Sequence, residues 1–270
     1  MPRVGNPSGL KVGAITGSKR ERACLAHDNT ETDDNPEIDI FCSGAVSSRA
    51  SMLAASLVDQ GCAGLLSIGL AGGLDPALKP GDVVVSSTII ASDGTKVPSD
   101  AAWRDRVVAD LDGRAIPFRI GAIAGLDELV RLAETKRALR SATGALAVDM
   151  ESHAVMRIAV AADIPFLAVR VIADDAADEL PRAATVALTE DGGVAIFRLL
   201  GALLRRPSDV SGMIMLGQRS ASGFNTLRRI APLAALRQPR DGAKALRGKD
   251  GTSAIRGEAD LSEAGQKDRS

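Results

Sequence analysis

The sequence predicts an α/β fold, a three-layer sandwich with a central sheet covered by helices on both sides. Three observations carry that expectation. Runs such as AGLLSIG (63–69) and IPFLAVRVIAD (164–174) are apolar at successive positions, as in strands buried on both faces. Segments with helical spacing alternate with them, which builds layers rather than a bundle or a barrel of hairpins. The chain is 45% hydrophobic with only 2% aromatic residues. Its core must therefore be aliphatic, as buried strands of Val, Ile, Leu and Ala require.

The elements follow in order. Residues 1–9, with Pro2, Gly5, Asn6, Pro7 and Gly9, read as a loose leader. LKVGAITG (10–17) and IDIFCSG (38–44) are short strands. Ala50, Met52, Leu53, Ala54, Leu57 and Val58 recur at helical spacing within 47–60, and Gly61 closes that helix. After the strand at 63–69, a Lys79-Pro80-Gly81 turn leads into the β-rich run GDVVVSSTIIA (81–91). A helix over 103–111, a strand over 117–125 and a helix over 128–141 come next. ALAVD (145–149) is a strand, 150–162 a helix, 164–174 a strand and 181–204 a long helix. Residues 10–204 thus form one catalytic-size domain. Residues 205–240 differ: seven arginines face a single acid, Asp209, among Met213, Ile214, Met215, Leu216, Phe224, Leu227, Ile230, Leu233 and Leu236. This is a basic, apolar C-terminal appendage. Residues 241–270 carry only Leu246, Ile255 and Leu261 as large aliphatics, too little to offset ordering entropy, and read as disordered.

Composition excludes several classes. The formal net charge is −1, so no global basic field attracts nucleic acid. Five Phe, one Trp and no Tyr cannot make a base-stacking surface. The three cysteines, Cys24, Cys42 and Cys62, share no metal-ligand spacing, and His27 and His153 are the two histidines. Neither a zinc site nor a disulfide scaffold is expected. MPRVGNPSGLK has no apolar signal core, and the run at 62–74 is too short to span a bilayer. A cytoplasmic enzyme with one core is the expected class.

Four segments could carry chemistry. GLAGGLDPALKPGDVVV (69–85) is a Gly-rich connection between strands that would let backbone N–H groups approach a ligand, or would simply turn the chain. It is not a dinucleotide fingerprint, because the glycine offsets differ and no helix follows. AVDMESHAV (147–155) brings Asp149, Met150 and Glu151 from a strand to a helix N-terminus. Carboxylates there either cap the helix or point into a cleft at the carboxyl end of the sheet. AVRVIADDAADE (168–179) ends a buried strand in Asp174 and Asp175, acids that either cap the next turn or act as proton donors, since burial would favour a protonated acid. ITGSKRERACL (15–25) follows a strand end with Lys19, Arg20, Glu21 and Arg22, in isolation a solvated charge cluster.

Together these segments resemble the nucleoside phosphorylase/nucleosidase superfamily over about residues 11–204. The resemblance is carried in order by G-x-A-G-G-L-D-P-A-L-x-x-G-D-V-V-V (69–85), V-D-M-E-S (148–152) and R-V-I-A-D (170–174). It implies a mixed central sheet flanked by helices and cleavage of the N-glycosidic bond of a purine nucleoside. D-M-E-S-H-A-V (149–155) and G-M-x-M-L-G-x-R (212–219) further resemble the hopanoid-associated branch, which implies removal of adenine from adenosylhopane. The resemblance assigns Asp174 as the acid that protonates the purine and Glu151 as the ligand of the ribose hydroxyls. It places Met150 against the sugar, and Leu129 and Val130 near the base. Ala71 and Gly72 are the substrate contacts of the Gly-rich segment, and no metal is implied.

Phosphorylases of this kind hold phosphate with an Arg and a hydroxyl where Ser67 and Leu70 stand here. Glu21 meanwhile matches the carboxylate that activates water in the nucleosidases. Hydrolysis is therefore expected, with phosphate a co-substrate only if Lys19, Arg20 and Arg22 hold it instead. The alternatives are phosphorolysis of a soluble nucleoside, hydrolysis of methylthioadenosine or adenosylhomocysteine, and a non-catalytic lipid- or partner-binding protein. The expected partners are a small or lipid-linked purine nucleoside and a second copy of the chain in a homo-oligomer. The appendage 205–240 either packs on the core or on a second subunit with its arginines solvated, or touches the inner membrane surface through its arginines and aliphatics.

Overall fold

Among the described residues, eight strands make one mixed sheet: β1 (Val12–Thr16), β2 (Ile38–Cys42), β3 (Gly64–Gly73), β4 (Val83–Ala91), β5 (Lys96–Pro98), β6 (Phe118–Gly125), β7 (Ala147–Asp149) and β8 (Phe166–Asp174). The computed structural model describes residues 11–26, 38–180 and 209–239, all within one compact unit, Met1–Pro239. The order is β2-β1-β3-β7-β6-β4-β5, and β8 pairs with both β3 and β4. The pairings β3–β8 and β6–β7 and β4–β6 are parallel, whereas β4–β8 and β3–β7 are antiparallel. These five contacts close a ring of strands in the middle of the sheet. Strand β3 makes this possible through its length of 10 residues. Its first residues, up to Ser67, pair with β1, Leu65 to Gly72 pair with β8, and its last two residues, Gly72 and Gly73, pair with β7. The register slips between Ala71 and Gly72, where glycine tolerates the bend.

Six helices lie on the sheet among the described residues: α1 (Lys19–Ala26), α2 (Ser47–Asp59), α3 (Ala101–Gly113), α4 (Ala133–Thr143), α5 (Ser152–Ala161) and α6 (Asp209–Ile230). A 3-10 turn follows at Ala234–Arg237. One face packs Leu25 of α1, Trp103, Val107 and Leu111 of α3, and Phe224, Leu227 and Ile230 of α6 onto Leu66, Val85 and Val169. The other packs Ala54 and Leu57 of α2 and Val155 and Ala159 of α5 onto Ile15, Leu65 and Ile172. Strand β8 serves both: Leu167, Val169 and Val171 face the first layer, Phe166, Ala168 and Ile172 the second. That is the period-2 alternation of a doubly covered strand.

Several boundaries differ from the sequence reading. The charged segment after β1 is helix α1, with Glu21, Cys24 and Leu25 turned inward. The helix expected over 128–141 starts at Ala133, and 126–132 is a loop ahead of it. The short strand β5 arises from a turn at Gly94, whose φ of +83° suits glycine. The expected leader (1–9), the helix at 181–204 and the tail at 241–270 lie outside the described residues.

The segment read as an appendage is described from Asp209 onward. Phe224, Leu227, Ile230, Leu233 and Leu236 belong to the same core cluster as Trp103 and Leu66. Trp103 Nε1 donates to Ala235 O at 2.7 Å, and Ala235 N donates to Asp110 Oδ2 at 3.0 Å. The aliphatics that an interfacial segment would insert into lipid are thus used by the core over 224–236. Arg228 and Arg229 stay exposed, so an anionic surface would meet charge there rather than an apolar face. No helix among the described residues is long and apolar enough to cross a membrane.

Candidate active site

Glu21 is positioned by a capping box. Ser18 and Glu21 stand at S-x-x-E, a spacing that lets each side chain serve the other's backbone. Glu21 N donates to Ser18 Oγ at 3.2 Å, and Ser18 N donates to Glu21 Oε2 at 2.6 Å. The other carboxylate oxygen, Oε1, accepts from Leu70 N of β3 at 2.9 Å. Glu21 is buried while Lys19, Arg20 and Arg22 around it are exposed, Arg20 lying 4.0 Å from the Phe224 ring centroid. Burial raises the Glu21 carboxyl above the usual range, opposed by the Leu70 and Ser18 N–H groups and by the Arg170 charge.

Glu151 closes on the same point. A Cβ at Gly17 would lie 2.8 Å from Glu151 Oε1 and 3.2 Å from Glu21 Oε2, so only glycine leaves room for both carboxylates. Its neighbour Asp149, the last residue of β7, accepts from the first residue of α5, Ser152 N at 3.1 Å and Ser152 Oγ at 2.7 Å. Arg170 ties the group together. This fully buried guanidinium pairs through Nε with Asp149 and through Nη2 with Ser67 Oγ at 2.6 Å and Glu151 Oε2 at 3.4 Å. Burial works against the Arg170 charge, but Asp149, Glu151 and Glu21 outweigh it and keep it ionised. For Glu151 burial dominates, and the charges of Asp149 and Glu21 add to it against Arg170, so its carboxyl is pushed up to about 8.

Asp174 ends β8 farther along β3. A Cβ at Gly72 would lie 3.4 Å from its Oδ2, while one at Gly69 would lie 3.0 Å from the Glu21 carboxyl carbon. The two glycines of β3 therefore admit one acid each. Asp174 is buried and forms an ion pair with Lys136 of α4, a lysine with no exposed surface. The sequence reading placed Asp174 in a buried strand end but did not anticipate an ammonium group beside it.

The remaining expected residues divide. Met150 is half-buried between Asp149 and Glu151. Gly72 lines the Asp174 carboxylate, and Ala71 is buried in the α2/α5 core cluster, so only its backbone is available to a ligand. Val130 packs with Leu74, Ala124, Ala145 and Val148 in a third core cluster, whereas Leu129 is 37% exposed in the loop before α4. Leu70, at the position of the missing hydroxyl, packs towards α6: a Cβ at Gly223 would sit 2.9 Å from its Cδ2.

Sequence reasoning did not single out Arg170 or Lys136. Arg170 was visible as the one charge inside the apolar run of β8, a position where an arginine is tolerated only with acids around it. Lys136 had no comparable local signal.

A family profile described as "Phosphorylase superfamily" matches residues 33–205. The chain belongs to the phosphorylase superfamily. The matched span contains the Gly-rich end of β3, Glu151, Lys136, Arg170 and Asp174 of this superfamily member; Glu21 lies ahead of it. A 5'-methylthioadenosine/S-adenosylhomocysteine nucleosidase of Mycobacterium bovis is 26% identical over 202 residues, 60% of this chain and 79% of the relative. The enzyme of that name from Thermotoga maritima is 33% identical over 111 residues, 39% of this chain and 51% of the relative. Among solved structures, the S-adenosylhomocysteine nucleosidase of Streptococcus pyogenes in complex with 5-methylthiotubericidin superposes with a TM-score of 0.59 at 21% identity. That likeness covers 83% of this chain and 98% of the other. The futalosine hydrolase of Helicobacter pylori gives 0.58 at 20% identity over 73% of this chain and 97% of the other. These structures share the α/β fold with its mixed sheet.

Proposed function

We propose that the protein hydrolyses the N-glycosidic bond of an adenine nucleoside. The observation that carries this reading is the convergence of Glu21 and Glu151 on Gly17, with Asp174 beyond Gly72 at the same end of β3. Three carboxyl groups in distinct surroundings suit the three tasks of such a reaction. Asp174 delivers a proton to the purine and turns it into a leaving group. Glu151, held by Arg170, accepts hydrogen bonds from the ribose hydroxyls as positive charge develops on the sugar. Glu21 takes the proton of the attacking water. Its two backbone donors fix the carboxylate in place, and burial raises its titration and so keeps it basic.

The positions that would hold phosphate favour water. Ser67 is engaged by Arg170, Leu70 packs towards Gly223, and Lys19, Arg20 and Arg22 lie on the exposed side of α1. The curated relatives are named as nucleosidases, which supports an adenine nucleoside as substrate. For the 5′ substituent we favour a hopanoid lipid, on the strength of D-M-E-S-H-A-V (149–155) and G-M-x-M-L-G-x-R (212–219).

The test is release of adenine from adenosylhopane, methylthioadenosine and adenosylhomocysteine, with and without phosphate, resolving ribose from ribose 1-phosphate products. The lipid-linked adenosine is expected to be cleaved best, to the free sugar, with no dependence on phosphate. D174N is expected to lower kcat by about 10²–10⁴-fold, the contribution typical of a general acid. Preference for methylthioadenosine removes the lipid assignment, a ribose 1-phosphate product removes hydrolysis, and a fully active D174N removes the acid.

A further inference from the structure

Helices α1 and α6 pack against each other and turn their charges outwards. Arg20 lies 4.0 Å from the Phe224 ring centroid. Burial raises the Cys24 thiol while the Arg228 and Arg20 charges oppose it, so cations of both helices flank one buried side chain. Lys19, Arg20 and Arg22 of α1 and Arg228 and Arg229 of α6 are all exposed. The single acid within 19–26 and 220–239 is Glu21, which is buried in the candidate site. Arg228 Nη1 donates to a neutral group, Asn225 Oδ1, at 3.0 Å. Surface arginines elsewhere meet carboxylates: Arg104 pairs with Asp105 at 2.9 Å and Arg157 with Asp93 at 2.7 Å. On the elements packed beside this face, Asp110 of α3 accepts from Ala235 N, and Asp39 of β2 pairs with Lys11 at 3.9 Å.

We propose that this α1/α6 face docks the protein on an anionic lipid bilayer. Charge complementarity supplies the attraction, because each basic side chain held near such a surface strengthens binding about fivefold. The four arginines acting together give a gain on the order of several hundred-fold at low salt. The aliphatics of 224–236 stay in the core, so the protein rests on the headgroups and inserts nothing.

A bilayer suits this face better than a folded partner or a nucleic acid does. Specific protein interfaces centre on a desolvated apolar patch. Among the described residues the exposed large apolar side chains, Met52, Ile120, Leu129, Leu132 and Val160, all lie on other elements. Single-stranded nucleic acids stack bases on aromatic rings, and the ring on this face, Phe224, is buried against Arg20. A lipid surface asks only for charge. The same two helices wall the candidate site: Glu21 comes from α1, and Gly223 of α6 lies against Leu70 of β3. Docking thus brings the site to the bilayer that holds a lipid-linked nucleoside. For the choice of partner the inference rests on the lipid-linked reading, and it deepens that reading by naming the surface on which the substrate is met.

In the experiment the full-length protein is sedimented with vesicles of phosphatidylcholine alone, and of phosphatidylcholine with an equal part of phosphatidylglycerol. It is expected to bind only the anionic vesicles, and to leave them as added salt shortens the reach of the charges. R20Q/R22Q and R228Q/R229Q are each expected to weaken binding about 10–30-fold. R119Q/R137Q removes the same charge from exposed positions on β6 and α4 and is expected to leave binding unchanged. R228Q/R229Q is expected to keep its melting temperature, as exposed substitutions do.

Activity gives a second readout. R228Q/R229Q is expected to raise KM for adenosylhopane about tenfold in anionic vesicles and to match the unsubstituted enzyme when the lipid is dispersed in neutral detergent. An unsubstituted protein that ignores anionic vesicles, or binds neutral ones equally, overturns the proposal. So does an R119Q/R137Q variant that loses as much binding as R228Q/R229Q. Binding to a duplex oligonucleotide that R228Q/R229Q weakens, with vesicles ignored, gives the face to nucleic acid and overturns it too. The vesicles hold no nucleoside, so a failure there leaves adenine release from adenosylhopane untouched. Vesicle binding without release of adenine from any nucleoside removes the nucleosidase reading and supports the docking face.

Discussion

Glu151 is a buried carboxyl whose protonation is displaced by its surroundings, and the sign of that displacement can be tested. Its titration is raised from the ordinary 4.5 to about 8, first by burial and then by Asp149 and Glu21, with Arg170 opposing. A group raised on folding binds a proton more tightly in the native state. Its contribution to stability is complete below about pH 4.5 and is lost as pH rises towards 8. E151Q cannot ionise, so its melting temperature relative to the unsubstituted protein is expected to climb between pH 5 and pH 8. A constant difference across that range would show that Glu151 does not titrate there. Above pH 8, where Glu151 is a carboxylate, the same variant should lose more activity on ribosides than on 2′-deoxyribosides, since charged hydrogen bonds to hydroxyls are worth about 1.5–3 kcal/mol. Glu21 is tested in the same way. Its two oxygens accept from Ser18 N and Leu70 N, and the amide of E21Q can accept from only one of them, so E21Q is expected to melt somewhat lower and still fold, while kcat falls about 10²–10⁴-fold. Unchanged hydrolysis in a folded E21Q would transfer the water to another base.

Strand β3 carries the candidate site because its glycines leave space for acids brought by other elements. Gly69 faces the Glu21 carboxylate, and an alanine there would put Cβ 3.1 Å from both oxygens. The carboxylate would have to give way by a few tenths of an ångström, straining its bond from Leu70 N. G69A is therefore expected to cost about 10–100-fold in kcat, as small misplacements of catalytic groups do, with an unchanged circular dichroism spectrum. Full activity in G69A would mean that this carboxylate position does not matter. The elements themselves were largely legible: the strands at 63–69, 81–91, 117–125 and 164–174 reappear with their ends shifted by a few residues. Helix α1 was less legible, because four of its eight residues are charged and only Glu21, Cys24 and Leu25 face inward. Its S-x-x-E start was the local signal.

The C-terminal segment completes the core of the whole molecule. Phe224, Leu227, Ile230, Leu233 and Leu236 are at most 7% exposed in the cluster that also holds Trp103. Removing large buried apolar side chains costs about 2–5 kcal/mol each, against a total stability of about 5–15 kcal/mol for a typical domain. A chain ended before Asp209 is expected to show no cooperative thermal transition. Trp103 is the single tryptophan and donates to Ala235 O, so its fluorescence in that truncated chain should be red-shifted to the wavelength of solvent-exposed indole. A truncated chain with a native-like melting curve and a blue emission would show that residues 11–208 hold the fold alone.

The sequence by itself determined the layered α/β architecture. Strand runs apolar on both faces and helices with one apolar stripe are local patterns, and burial is the dominant force that reads them. It also placed Asp174 and Glu151 at strand ends, since the chain order within R-V-I-A-D and V-D-M-E-S is itself local. Tertiary structure decided the rest. The closure of the strand ring depends on β8 pairing with β3 on one side and β4 on the other, which no local pattern specifies. Arg170 meets Ser67 across 103 residues of chain, Glu21 meets Leu70 across 49, and Lys136 meets Asp174 across 38. A charged side chain in a sequence reads as solvent-facing, because exposure is its cheapest state. Only the packed fold, by bringing an opposite charge or a backbone donor to it in a buried place, turns that residue into part of a site.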